Sequence, residues 1–148
     1  MRIYVDTSVF GGCFDDGFEE SSLRLMDMLR VGKYNTVISE VSERELRDAP
    51  GHVQQLLKEI PRKHLEIARL DDEAKALAEL YLKKRIVTRN SKADTEHIAI
   101  ATIAQVDLLV SWNFKHIVNY DRIRLYNAIN LEHGYKLLEI RSPRDLTT

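Results

Sequence analysis

A single cysteine, Cys13, is all the thiol chemistry this chain has, so neither an internal disulfide nor a cysteine-built metal site is open to it. That scarcity fits a reducing compartment, and with no base partner in view Cys13 reads as a small loop residue. Proline and glycine are also sparse, three and six in 148 residues, and no Pro/Gly/Ser-rich linker, repeat or low-complexity tract divides the chain. One domain over residues 1–148 is expected. No apolar run approaches a membrane span, and the opening Met1-Arg2-Ile3-Tyr4-Val5 meets Asp6 too early for the apolar core of a signal peptide. The expectation is a soluble cytoplasmic protein. Excess positive charge is missing as well. A net charge of −1 excludes a protein whose main work is to coat nucleic acid, though not an enzyme that handles it locally.

What is present is a set of short apolar runs, each ending on a small polar or acidic residue. Ile3–Val5 leads into Asp6-Thr7-Ser8, then Gly11-Gly12, a strand followed by a turn. Ser21 or Ser22 can cap a helix carrying Leu25, Met28 and Leu29, and Gly32 stops it. Thr36-Val37-Ile38 is β-branched and reads as a second strand. Beyond it a helix bears Val41, Glu45 and Leu46, and His52–Ile60 forms another, closed by Pro61. Leu65–Leu70 is a weaker strand. Asp71-Asp72-Glu73 and Lys83-Lys84-Arg85 place acids at the start and bases at the end of the next helix, as its dipole favours. A polar loop follows, and Asp94 opens the most apolar helix. Leu108–Val110 is the clearest buried strand. A helix over Ile123–Leu131 and a strand over Leu137–Ile140 complete the pattern, with Pro143 ending it. Strands alternating with helices predict an α/β fold of three layers, α/β/α, with a central parallel sheet of about five strands.

Residues just past the carboxyl ends of parallel strands converge on one crevice, so the acids found there are the candidates for chemistry. Asp6 follows an apolar strand, where a carboxylate needs a partner or a cation. Thr7 and Ser8 can hydrogen-bond it or orient a water. Glu45 has two readings, an inward-facing acid or the last residue of a Ser42-x-x-Glu45 capping box. Asp94 is either a site acid or a helix-start acid. His97, one turn on, shares its face, and reads as a hydrogen-bonded packing histidine rather than a ligand. Asn113 offers an amide oxygen, Trp112 is a core aromatic or a stacking platform, and Arg89, Lys92, Lys115 and His116 are phosphate contacts or solvated surface.

Taken together, Val5-Asp6-Thr7-Ser8, Ile38-Ser39 with Glu45-Leu46, Asp94-Thr95-Glu96-His97-Ile98-Ala99 and Asp107–His116 resemble the PIN domain, and in particular its VapC-type toxin branch, over nearly the whole chain. The resemblance implies a central parallel sheet and an acidic pocket for Mg²⁺ or Mn²⁺ formed by Asp6, Glu45 and Asp94. Ser111-Trp112-Asn113 stands where a Thr-x-Asp pattern is usual, so Asn113 replaces a fourth acid and is expected to assist by coordinating the metal or by a hydrogen bond, with a second ion bound more weakly than in a four-acid site. Ser111, Thr7, Ser8, Lys115 and His116 are expected around the ligands or the substrate. The implied activity is endoribonuclease, with RNA as substrate, an antitoxin protein as partner and a homodimer as assembly, for which the face of Leu25, Met28 and Leu29 is available unless the core takes it. A PIN-like module that binds RNA or protein without turnover is the alternative. An aspartyl phosphatase fits less well, because Ser8 stands where a second aspartate would be.

Overall fold

The structure, a computed structural model, describes residues 1–148. Its spine is a sheet of β1 (Arg2–Val5), β2 (Asn35–Ser39), β3 (Leu65–Ala68), β4 (Leu108–Val110) and β5 (Ile140–Arg141). All four pairings are parallel and the spatial order is β3-β2-β1-β4-β5. The expected α/β class and five-stranded parallel sheet are therefore present. Eight helices join and cover the strands: α1 (Thr7–Gly12), α2 (Glu19–Arg30), α3 (Glu40–Arg47), α4 (Gly51–Lys58), α5 (Asp72–Lys83), α6 (Lys92–Ile103), α7 (Tyr120–Glu132) and α8 (Pro143–Thr147).

Strand alternation divides the core in two. Tyr4, Val37, Leu109 and Ile140 point to one face, where Leu77, Tyr81, Ile98 and Tyr126 of α5, α6 and α7 cover them. Ile3, Val5, Ile38, Leu108 and Val110 point to the other, under Val9, Phe10, Leu25 and Leu56 of α1, α2 and α4. Leu25 and Leu29 are wholly buried in that second core, so the face of α2 is used up in folding.

Helix ends are set by backbone geometry. Gly32, at φ +75°, closes α2 with its N–H on Leu29 and the Lys33 N–H on Met28, a Schellman stop as predicted. Arg85 and Gln105 close α5 and α6 in the same way at φ +56° and +53°, where the lack of a glycine costs conformational energy.

Several local expectations need correction. Thr7–Gly12 is a helix rather than a turn, and Cys13 is its buried cap rather than a loop residue; burial pushes the thiol up to about 11, so it stays protonated and inert. α2 begins at Glu19, and Ser22 lies inside it, accepting the Trp112 Nε1–H at 2.7 Å. The capping box of α3 is Ser39 with Ser42, which leaves Glu45 uncommitted. α6 starts at Lys92, so Asp94 sits in its first turn. The last strand is two residues, Ile140–Arg141, and Pro143 starts α8 instead of ending the pattern.

Gly12 lies where α1 crosses the Trp112–Ser22 bond. A Cβ there would come within 2.6 Å of Ser22 Oγ and 2.7 Å of Trp112 Nε1. Gly12→Ala is expected to destabilise the fold by about 1–3 kcal/mol through overpacking, and urea unfolding, together with loss of the buried tryptophan's native fluorescence, measures it.

A candidate metal centre at the carboxyl end of the sheet

From β1 the chain winds outward through β2 to β3, then returns to β4 on the other side, so the switch point of this sheet lies between β1 and β4. A crevice opens beyond the strand ends at such a point. Asp6 and Ser111 are the first residues past β1 and β4, and the Asp6 N–H still donates to Val110 O at 3.0 Å. The ladder thus fixes the Asp6 backbone. Its buried side chain does not cap α1. Instead Oδ2 accepts from Ser8 Oγ and Ser111 Oγ, each at 2.7 Å, which leaves Oδ1 facing inward.

Glu45 arrives from α3, pinned through Oε1 by Thr7 Oγ1 at 3.0 Å and by His97 Nε2–H at 2.7 Å. His97 comes from α6 with no exposed surface, its Nδ1 bonded to the Tyr4 hydroxyl, which also pairs with Ser39 Oγ at 2.7 Å. Its Nε2 stands 3.7 Å from Asp6 Oδ1. Asp94, one turn before His97 on α6, completes the wall with Asp6, Thr7, Ser8, Glu45 and Asn113 around a cavity of about 360 Å³.

Electrostatics sort these groups. Burial lowers the proton affinity of His97, but the Tyr4, Glu45 and Asp6 oxygens outweigh it and hold the imidazole pKa well above its ordinary value. Burial raises Glu45, but the His97 hydrogen bond and charge, with Thr7 and Arg44, bring its pKa below the usual range. Asp94 goes the other way. Burial first, then the charge of Asp6, push it up to about 6, partly offset by His97, with Glu45 adding to the rise and the Asn113 hydrogen bond opposing it. His97 Nε2 thus faces two carboxylates, at 2.7 and 3.7 Å, while Asp94 has no basic side chain within ion-pair distance, a surplus of carboxylate.

That surplus is the observation that fits a cation. Ligand atoms of Asp6, Glu45 and His97 lie within 4.8 Å of one another, and Asp94 lines the same cavity. Carboxylate oxygens suit a hard divalent ion. Asn113 is oriented otherwise: its Oδ1 accepts the His116 N–H at 2.9 Å and its Nδ2 donates to Asp94 Oδ1 at 3.2 Å. In this arrangement it presents a donor, not a ligand oxygen.

No protein-family model matches the chain, and no curated protein matches its sequence. Solved structures do match its shape. FitAcB from Neisseria gonorrhoeae superposes with a TM-score of 0.59 at 15% identity, over 96% of this chain and 98% of that one. VapC20 of Mycobacterium tuberculosis, a sarcin-ricin loop cleaving toxin, gives 0.58 at 13%, over 93% and 98%. VapBC2 from Rickettsia felis, bound to a DNA fragment from its promoter, gives 0.58 at 13%, over 96% and 98%. The chain has a PIN-like α/β fold, the fold of these structures.

Within this PIN fold, Asp6, Thr7, Ser8, Glu45, Asp94 and Asn113 share one cavity, and Ser111 supports Asp6 from behind. Lys115 and His116 do not join them; both line a separate pocket on the far side of Asn113. His97 is both what the sequence predicted, a hydrogen-bonded buried histidine, and a neighbour of the acids, which its spacing from Asp94 hinted. Tyr4 had no such signal, since nothing in an apolar strand tells that its hydroxyl reaches a histidine on α6. Trp112 is a core aromatic, 6% exposed and 4.5 Å from the Phe18 ring.

A carboxyl group whose pKa is higher folded than unfolded binds more protons in the native state, so Asp94 makes the metal-free protein less stable as pH rises from about 4 to about 6. Partial solvent screening keeps the loss on the order of 1 kcal/mol. Asp94→Asn is expected to remove this slope and raise the melting temperature of the metal-free protein at pH 7, as thermal unfolding in EDTA across that pH range would record.

Proposed function

We propose that this chain is a divalent-metal-dependent endoribonuclease, the toxin of a toxin–antitoxin pair. The carrying observation is that Asp6, Glu45 and Asp94, far apart in sequence, line one cavity at the carboxyl end of the sheet. The structural neighbours support the reading: VapC20 is described as a sarcin-ricin loop cleaving toxin, and the VapBC2 structure holds a promoter DNA fragment.

Asp6, Glu45 and Asp94 would hold Mg²⁺ or Mn²⁺. The ion, when bound, acts as a Lewis acid toward the phosphodiester and eases ionisation of the attacking water. The chain's own residues prepare for this. Ser8 and Ser111 lock Asp6 Oδ2 so that Oδ1 points into the cavity. Thr7 and His97 fix Glu45 through Oε1, and its lowered pKa makes it a ligand and a water-orienting group rather than a proton acceptor. Asn113 holds Asp94 by its amide N–H. With three acids in place of four, one ion is the expected complement. An antitoxin protein is the proposed partner. A homodimer would have to use a surface other than the α2 face, whose Leu25 and Leu29 belong to the core.

Purified protein with Mn²⁺ or Mg²⁺ is expected to cut labelled single-stranded RNA, and Asp6→Asn or Asp94→Asn to slow cleavage by about 10²-fold or more. Equal cleavage by all three proteins would assign the activity to a contaminant and sink this reading.

One observation favours a non-catalytic module instead: the buried His97 ring, its pKa held above the ordinary value, already stands 2.7 Å from Glu45 and 3.7 Å from Asp6, where a cation would sit. Titration calorimetry separates the two. Mn²⁺ uptake that Asp6→Ala abolishes is the expected result for the enzyme, and no uptake at millimolar Mn²⁺ is the result for the module.

A further inference from the structure

A second pocket, of about 820 Å³, opens on the other side of Asn113 between the end of α5, the turn at Arg89–Ser91, the loop after β4 and the start of α7. Its charge is one-sided. Lys83, Arg85, Arg89, Lys115, His116 and Arg122 line it, without an acidic side chain among the lining residues. Only Arg89 has an ion-pair partner, Glu79 at 2.7 Å; Lys83, Arg85, Lys115 and Arg122 have none.

Two further facts point to a missing anion. Arg122 Nε and His116 Nδ1 are buried yet lack any hydrogen-bond partner, a state that ordinarily costs free energy. Partial burial, then the charges of Arg122 and Lys115, lower the pKa of His116, so positive potential here is uncompensated. Arg85 adds a conformational argument. It occupies the left-handed closing position of α5, where Gly32 does the same task in α2 without strain, so a charge is kept where glycine would be more stable.

We propose that this pocket seats the sugar-phosphate backbone of an RNA strand whose scissile bond lies over the acidic cavity. Arg and Lys side chains, with the Thr88, Asn90 and Ser91 polar groups, are the donor types that hold phosphate oxygens. No Phe, Tyr or Trp lines the pocket and its one aromatic ring is the His116 imidazole, so the donors outnumber any stacking surface and suit the backbone rather than the bases. Asn113 links the two: it lines the acidic cavity, donates to Asp94 and accepts the backbone N–H of His116, a residue that lines the pocket. The identity of the polymer rests on the nuclease reading above, whereas the anion pocket stands on its own geometry.

The test measures fluorescence anisotropy of labelled single-stranded RNA in EDTA, where no cleavage occurs, for the parent, Arg85→Gly, Lys115→Ala and Arg122→Gln, with Lys136→Ala at an exposed position outside the pocket as control. Arg85→Gly carries most weight, because it relieves strain. It is expected to melt roughly 2–4 °C higher and yet to bind RNA about fivefold to tenfold more weakly at low salt. Each charge removed is expected to flatten the dependence of log K on log salt by roughly 0.7. RNA with and without a terminal 5′-phosphate is expected to bind alike, and inorganic phosphate to compete only weakly. Pocket variants that bind like Lys136→Ala overturn the proposal; so does a strict need for a terminal phosphate, and so does preferential capture of poly-glutamate, which would assign the pocket to an acidic polypeptide. Kinetics in Mn²⁺ keep the two readings apart. If the nuclease reading fails while the pocket holds, RNA is bound but not cut; if the pocket fails while the nuclease holds, RNA is cut with KM unchanged by Arg85→Gly.

Discussion

Like charges brought together at one end of the sheet are the constraint around which this molecule is arranged. The parallel topology brings Asp6, Glu45 and Asp94 to the lining of one cavity, and burial makes their repulsion stronger than it would be in water. The answer is a chain of hydrogen bonds that begins in the core, at Ser39 and Tyr4, passes through His97 and ends on Glu45. Tyr4 belongs to β1, Ser39 to the end of β2, His97 to α6 and Glu45 to α3, so the site acids are braced by four elements at once. A loop-borne cluster could not be held so tightly.

Charge is also segregated across a short distance. Asn113 stands at the boundary, with the acids on one side and a group of bases on the other. A net charge near zero conceals this, because the sum over the chain says nothing about its distribution.

Much of the fold could be read from the sequence because its signals were local. β-branched and apolar runs at Ile3–Val5, Thr36–Ile38 and Leu108–Val110 have no other comfortable fate than buried strands, and Gly32 marks a helix end by its own stereochemistry. The misreadings came where two local signals competed or where a distant partner decided. Ser39 and Ser42 took the capping box that Ser42 and Glu45 also spelled, because Ser39 is the residue at which β2 ends. Gly11-Gly12 read as a turn, yet Gly12 is needed inside α1 because Trp112 and Ser22 leave no space for a side chain. In the site, the positions of Asp6, Glu45 and Asp94 followed from strand-end logic and family likeness. The orientation of the Asn113 amide and the reach of Tyr4 depended on contacts between residues 19 and 93 positions apart, which no local pattern encodes.

The Asn113 amide has one more implication. An aspartate at that place would set a fourth negative charge against Asp94 and forfeit the N–H that now steadies it, making a cation more favourable there. With an amide there, architecture and loading are separable. Asp94 keeps its hydrogen bond without a cation, so the proposed ion would add to a site that is already held.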